Sequence, residues 1–203
     1  MNRGGGFLAA QQGAVLLVAL VLLLVITVLG ATALRSASLE MRMATNSQER
    51  QQAFNAAEAA LRSAEAWLDL NGRVSQASMG CSGEGCYSDA CPGGRCFVGE
   101  WVGAEHSLCT RSPSEDEPVA VWEDAELAVW TTANRHVAVA VDGIEAAHRP
   151  RYIIEFQCFI AGYEECQIDL NGDCPAMFRI TALGFSTSGR ARTLVQSVYA
   201  VAQ

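Results

Sequence analysis

Lysine is missing from this chain altogether, so all fourteen basic residues are arginine, and the formal net charge is −8. An acidic balance with no basic run excludes the phosphate-gripping stripe that nucleic-acid recognition needs. No nucleic-acid partner is therefore expected. Charge is absent between Arg3 and Arg35, and both proline and glycine are absent from 39–70. The three histidines, His106, His136 and His148, show no metal-ligand spacing. No serine or cysteine nucleophile motif accompanies them, so the chain is not expected to be an enzyme. With 203 residues there is room for one ordinary domain and one additional element, but hardly for two separate cores.

The additional element is the charge-free stretch. Residues 14–34 form an apolar run interrupted only by Thr27, Gly30 and Thr32. A helix of about 20 apolar residues crosses the hydrocarbon core of a bilayer, whereas the apolar core of a cleavable signal peptide has about 7–15. The length points to a membrane-spanning helix. Arginines flank the run on both sides, so charge asymmetry does not decide its orientation.

The helix is expected to continue beyond the run, because 39–70 is dense in Ala, Leu, Glu, Gln and Arg and has no breaker. Phe54, Ala57, Leu61, Ala64 and Leu68 recur at three- and four-residue spacings and define one apolar stripe. Asn71-Gly72 then supplies a stop. The result is a rod of about 57 residues, on the order of 85 Å long. By itself this describes a single-pass anchor with a helical stalk.

All eight cysteines lie beyond the anchor, at Cys81, Cys86, Cys91, Cys96, Cys109, Cys158, Cys166 and Cys174. Their even number behind a membrane anchor suggests an oxidising compartment and disulfides. The first four recur every five residues in a glycine-rich stretch that crosslinks would have to order. A zinc or iron–sulfur site is the alternative, but structural zinc sites use C-x2-C pairs, and the four-residue gaps here do not match. Pairing within 81–96, and a second set among Cys158, Cys166 and Cys174, is the expected arrangement out of 105 possible connectivities.

After Cys96 the pattern changes to short β-rich runs, and strands are expected at 97–102, 127–131, 137–141, 152–159, 177–185 and 193–201. Ser186-Thr187-Ser188-Gly189 would join the last two in a hairpin. An antiparallel sheet packed on the C-terminal half of the long helix follows. This α+β arrangement would bury Phe54, Leu61 and Leu68. Trp101, Trp122 and Trp130 read as core, with a sugar-stacking platform as the alternative. The run Glu115-Asp116-Glu117 reads as a solvated loop. Asp169, Asn171 and Asp173 resemble the start of a calcium loop, but the closing glutamate is absent and Asn-Gly-Asp is ordinary turn chemistry. No cofactor or resident metal is expected.

The segment Gln12-Gly13-Ala14-Val15-Leu16-Leu17, the apolar helix, Leu39-Glu40-Met41-Arg42-Met43-Ala44-Thr45-Asn46, and Ala53-Phe54-Asn55-Ala56-Ala57-Glu58-Ala59-Ala60-Leu61-Arg62 together resemble the PilX-type minor pilins. Phe178-Arg179-Ile180-Thr181-Ala182 and Leu194-Val195-Gln196-Ser197-Val198-Tyr199 resemble that family's closing strands. The cysteine-rich middle is unmatched. The resemblance implies a pilin-like fold with a leader over 1–13, a transmembrane and stalk helix over 14–72, and a periplasmic head over 73–203 that carries a cysteine-rich segment at 80–109.

It also implies cleavage by a prepilin peptidase after a glycine at the edge of the apolar run. Gly13 and Ala14 fit that position, and the new amino terminus would be methylated. Gly6-Phe7 is the competing site, but it would leave Gln11 and Gln12 inside the mature apolar segment, where amides need partners. The leader has one basic residue where several are usual. Major pilins carry a glutamate at the fifth mature position, and here that position is Val18.

A subunit without this carboxylate suits the filament tip, where no neighbour ahead has to be neutralised. The implied function is an inner-membrane prepilin that primes type IV pilus assembly, packing through its helix against other minor pilins and the major pilin. The pilus itself could serve motility, adhesion or DNA uptake. Its head could also dock a tip adhesin or bind a surface. The alternatives are the tip pseudopilin of a type II secretion system and an anchored periplasmic binding module.

Overall fold

The computed structural model describes residues 12–74, 78–79, 81, 83, 85–102, 108–110, 120–159 and 175–201. One helix, α1 (Gln12–Asn71), runs through both of the compact units into which the chain divides, Met1–Ser47 and Gln48–Gln203. Helix formation over this length follows from the absence of proline and from the Ala- and Leu-rich composition. It ends where expected: the Gly72 amide donates to the Leu68 carbonyl at 2.7 Å, and the Asn71 side-chain amide donates to the Trp67 carbonyl at 2.9 Å.

Side chains from Val15 to Leu34 are exposed, and the span is long and apolar enough to cross a membrane.

The second unit is a sheet laid on the remainder of α1. Its strands are β1 (Arg95–Cys96), β4 (Val137–Ala138), β5 (Arg151–Phe159), β6 (Ala176–Phe185) and β7 (Arg192–Val201). They lie in the order β1-β5-β6-β7, with β4 also paired to β5. β2 (Glu100–Val102) and β3 (Leu108–Thr110) make a separate two-stranded ribbon. The three long strands are antiparallel, as their alternation predicts, but β1 joins β5 in parallel and the sheet is mixed. The expected strand at 127–131 is absent. That segment is a succession of turns, in which the Asp124 carboxylate accepts from the amides of Glu126 and Leu127 at 2.8 and 2.9 Å.

Small residues set the distance between helix and sheet. Ala53, Ala57, Ala60 and Ala64 are fully buried, and Leu61 and Leu68 fill the core beside them. Phe54 is not part of this face. Contrary to its place in the apolar stripe, it is 42% exposed. The reason lies across the interface at Gly184, where a Cβ would stand 2.1 Å from the Ala53 carbonyl oxygen and 2.3 Å from the Ala57 amide. Backbones this close leave no room for a phenyl ring, so the alanine row faces the sheet.

Above that seam, Tyr87, Phe97, Phe156 and Phe178 form an aromatic cluster with ring centroids 5.5–6.3 Å apart, within the range of tilted aromatic pairs. A second, smaller core lies on the opposite face of the sheet and contains Cys91, Cys96, Val121, Val129 and Ile153.

Candidate functional site

The features that can carry function fall on two parts of the molecule, the uncovered helix and the crosslinked head. Gly13, Ala14 and Val18 belong to the first turns of α1, and Val18 is 55% exposed among apolar neighbours that are equally bare. The two hydroxyls in this span do not disturb its apolar character. Thr27 Oγ1 donates to the Leu24 carbonyl and Thr32 Oγ1 to the Leu29 carbonyl, each at 2.8 Å. A helix whose polar side chains bond its own backbone leaves no unmet donor for lipid or for a neighbouring helix.

In the head, Cys81 is bonded to Cys86 and Cys91 to Cys96, each pair five residues apart. Cys158 is also disulfide-bonded. Cys109 lies in β3, whereas Cys166 and Cys174 fall outside the described residues. The Cys91–Cys96 crosslink closes a tight turn in which Cys91, Gly93 and Gly94 all have positive φ, at 55°, 57° and 77°. Gly94 is required for a further reason: a Cβ there would meet the Val137 amide at 3.1 Å and the Tyr152 carbonyl oxygen at 3.2 Å. The turn feeds β1 directly onto β5. The sulfurs lie in the second core, with both cysteines fully buried.

The remaining sequence candidates are structural or lie beyond view. Asp169, Asn171, Asp173, His106 and the acidic run at 115–117 are outside the described residues. Among the described residues, no group of three or more His, Cys, Asp or Glu side chains is placed to hold a metal ion. His136 Nδ1 lies 2.7 Å from the Val129 carbonyl oxygen, and burial pushes the imidazole pKa below its ordinary value. His148 packs on the turn at Gly189, where an added Cβ would stand 2.3 Å from its Nε2. Neither imidazole is paired with a nucleophile among the described residues. Trp122 and Trp130 are half-buried against the second core, and Trp130 Nε1 donates to the Trp122 carbonyl at 3.0 Å. The side chain of Trp101 is not described.

The structure also assembles one pair that sequence reasoning did not single out. Glu155 and Arg179 are cross-strand partners on β5 and β6, joined by a two-pronged ion pair and capped by the indole of Trp122. A usable signal was present: opposite charges interrupt two otherwise apolar strands, Tyr152-Ile153-Ile154-Glu155-Phe156 and Phe178-Arg179-Ile180.

Clasps bind sheet to helix at both ends of the second unit. Tyr199 donates its hydroxyl to Asp69 at 2.5 Å and Ser197 donates to Glu65 at 3.1 Å. The Asp69 hydrogen bond holds the Tyr199 pKa above its ordinary value. At the hairpin, Ser188 donates to Glu49 at 3.0 Å, and Arg190 approaches the same carboxylate at 3.7 Å.

An apolar helix whose first-half side chains are exposed and whose second half packs on a mixed sheet is the arrangement of a pilin-like subunit, a structural class. The PilX N-terminal family model matches residues 12–62, and that of the type IV pilus assembly protein PilX C-terminal region matches 71–201. The two matches cover most of the chain, and the protein belongs to the PilX family. No curated protein and no solved structure matches it.

Proposed function

We propose that this chain is a minor pilin made as an inner-membrane prepilin, cut between Gly13 and Ala14, and incorporated near the tip of a type IV pilus, where it primes assembly. Membership of the PilX family supports a role in pilus assembly. The finer reading rests on Val18, an exposed apolar side chain at the fifth position of the mature chain. In a filament core, an amino-terminal ammonium needs a carboxylate from its neighbour, because an unpaired charge in an apolar medium is costly. A subunit that offers valine there cannot serve a neighbour placed ahead of it. It can, however, occupy the end of the row.

In this reading 1–13 is the leader, 14–72 the anchor and stalk, and 73–203 a periplasmic head whose crosslinked segment 80–109 forms a docking or adhesive surface. Its partners are the prepilin peptidase, other minor pilins and the major pilin. The uncovered α1 span suits lipid and a helical filament core equally, so transfer between them needs no enzymatic step. The family match favours this over a secretion pseudopilin.

Mass spectrometry of the membrane-extracted protein, from cells with and without the peptidase, tests the first step: a peptidase-dependent, methylated Ala14 terminus is expected, and an intact Met1 would sink the prepilin reading. Incorporation of Val18→Glu tests the second. Wild-type label should cluster at pilus ends, and the variant should spread into the shaft; label along the whole shaft for both would rule out the tip.

A further inference from the structure

β7 is the outermost strand of its sheet: β6 bonds it through ten consecutive residue pairs without a register shift, and no described strand lies beyond it. The pairing determines what that edge offers. The Ser186 amide donates to the Ala191 carbonyl at 2.9 Å, and antiparallel pairs alternate along a ladder between bonded and unbonded. Continuing from that pair, residues 193, 195, 197 and 199 use their amides and carbonyls on β6. Arg192, Leu194, Gln196, Val198 and Ala200 turn theirs outward, away from the sheet.

These five residues also carry their side chains to the face opposite α1, since the alternate set reaches the helix through Ser197 and Tyr199. Leu194 is 41% exposed and Val198 63%. Next to them the indoles of Trp122 and Trp130, with Leu183 and Leu194, line a cleft of about 430 Å³ whose rim carries Glu123 and Arg192.

Exposed edges of this length are ordinarily blunted by proline, lysine, an inward charge or a bulge. β7, Arg-Thr-Leu-Val-Gln-Ser-Val-Tyr-Ala-Val, has none of these devices, and its single charge is Arg192 at the start. We propose that β7 is a docking edge for an extended strand of a different pilus subunit. That strand lengthens the sheet through main-chain hydrogen bonds and lays alternate apolar side chains over Leu194, Val198 and the tryptophan-lined cleft. Charge complementarity places a carboxylate of the incoming strand opposite Arg192.

A second copy of this chain fits less well. Within the second unit β7 runs in the direction of α1, since Ser197 meets Glu65 and Tyr199 meets Asp69. Antiparallel pairing of two β7 edges would point the sheet-covered portions of α1 in the two heads in opposite directions, whereas subunits of one filament point theirs alike. Parallel in-register pairing would set each Arg192 beside its own copy.

The inference rests on the reading of this chain as a pilus subunit, and the test separates the two. A photocrosslinking residue is placed at Ala200 of the full-length chain in piliated cells, with Val195, which faces the helix side, as control. Crosslinked peptides are identified by mass spectrometry. The expected product joins Ala200 to an extended segment of another pilus subunit with alternating apolar residues, and Val195 gives none. Gln196→Pro, which removes an outward amide and spares the main-chain ladder to β6 but loses the 2.9 Å bond from the Gln196 side chain to Thr181, should reduce the product at least tenfold, and so should Val198→Lys on the exposed face, which keeps that bond. A product with a second copy, or one undiminished in both variants, overturns the proposal. So does a chain that is present in the sheared pilus fraction yet gives no product. Absence from pilus and minor-pilin complexes alike sinks the assembly reading, and the docking edge with it.

Discussion

Glu155 and Arg179 face each other across β5 and β6, with Arg179 Nε 2.9 Å from one carboxylate oxygen and Nη2 2.8 Å from the other. The Glu155 side chain is 5% exposed and that of Arg179 23%, and the guanidinium lies 4.4 Å beneath the Trp122 ring centroid. The pair therefore pins the turn-rich segment after Ala120 onto the sheet as well as joining two strands. Arg179→Met leaves a buried carboxylate unpaired and should cost about 3 kcal/mol, whereas Glu155→Met combined with Arg179→Met should recover most of that loss. Denaturant unfolding of the oxidised, detergent-solubilised protein measures both. A double variant as unstable as the single one would show that the pair's value lies in its geometry, not in neutralising Glu155.

Gly184 decides how closely the sheet approaches α1. A methyl group there would overlap the backbone at Ala53 and Ala57, which cannot swing aside as a side chain could. Gly184→Ala should lower stability by about 2 kcal/mol or more, because relief requires the helix and β6 to separate. Gly30→Ala is the matched control: it meets nothing within 4 Å. Its effect on the unfolding of the head, followed by tryptophan fluorescence, should be nil.

That glycine also explains which parts of the fold were legible in the sequence. β5, β6 and β7 lie within a residue or two of their expected positions because alternation and β-branched composition report directly on a half-buried strand. The helix and its stop at Asn71-Gly72 were legible for the same kind of local reason. Phe54 was misplaced because periodicity identifies an apolar stripe but not which of its edges meets a sheet brought close by a distant glycine. Residues 127–131 have strand composition, yet Asp124 caps a turn there and the tryptophans pack from a loop. The parallel entry of β1 follows from the Cys91–Cys96 turn, whose crosslink no spacing rule selects in advance. Of the candidate site, Val18 and the cysteines were visible by position, while the β7 edge emerges only from strand order.

His136 makes stability depend on pH in a definite direction. Burial against the loop holds its folded-state pKa below the ordinary histidine value of 6.5, and Arg151 adds to the effect against the opposing hydrogen bond that the Val129 carbonyl accepts. The neutral form is thus the one the fold favours. Its contribution is fully present above pH 6.5 and is lost as pH falls towards the depressed folded value, where protonation no longer distinguishes folded from unfolded chain. The melting temperature should therefore decline between pH 7 and pH 5, and His136→Gln should show a shallower decline. Parallel profiles for the two proteins would assign the acid sensitivity to other groups.

The two resolved crosslinks close loops of equal length but stand in different surroundings, so they should differ in both accessibility and value. In the chain-entropy description, a loop of this size contributes about 2 kcal/mol whichever pair forms it. Cys91 and Cys96 add a packing role, being fully buried against Val121, Val129 and Ile153, whereas Cys81 is partly exposed. Cys81→Ala with Cys86→Ala should therefore cost about 2 kcal/mol, and Cys91→Ala with Cys96→Ala distinctly more, because the latter also opens the second core and releases β1 from β5. Mild reduction followed by alkylation and peptide mapping should label Cys81 and Cys86 first. If Cys91 and Cys96 were labelled at the same rate, the second core would have to open far more readily than its burial implies, and Trp122 and Trp130 fluorescence would shift in step with the labelling.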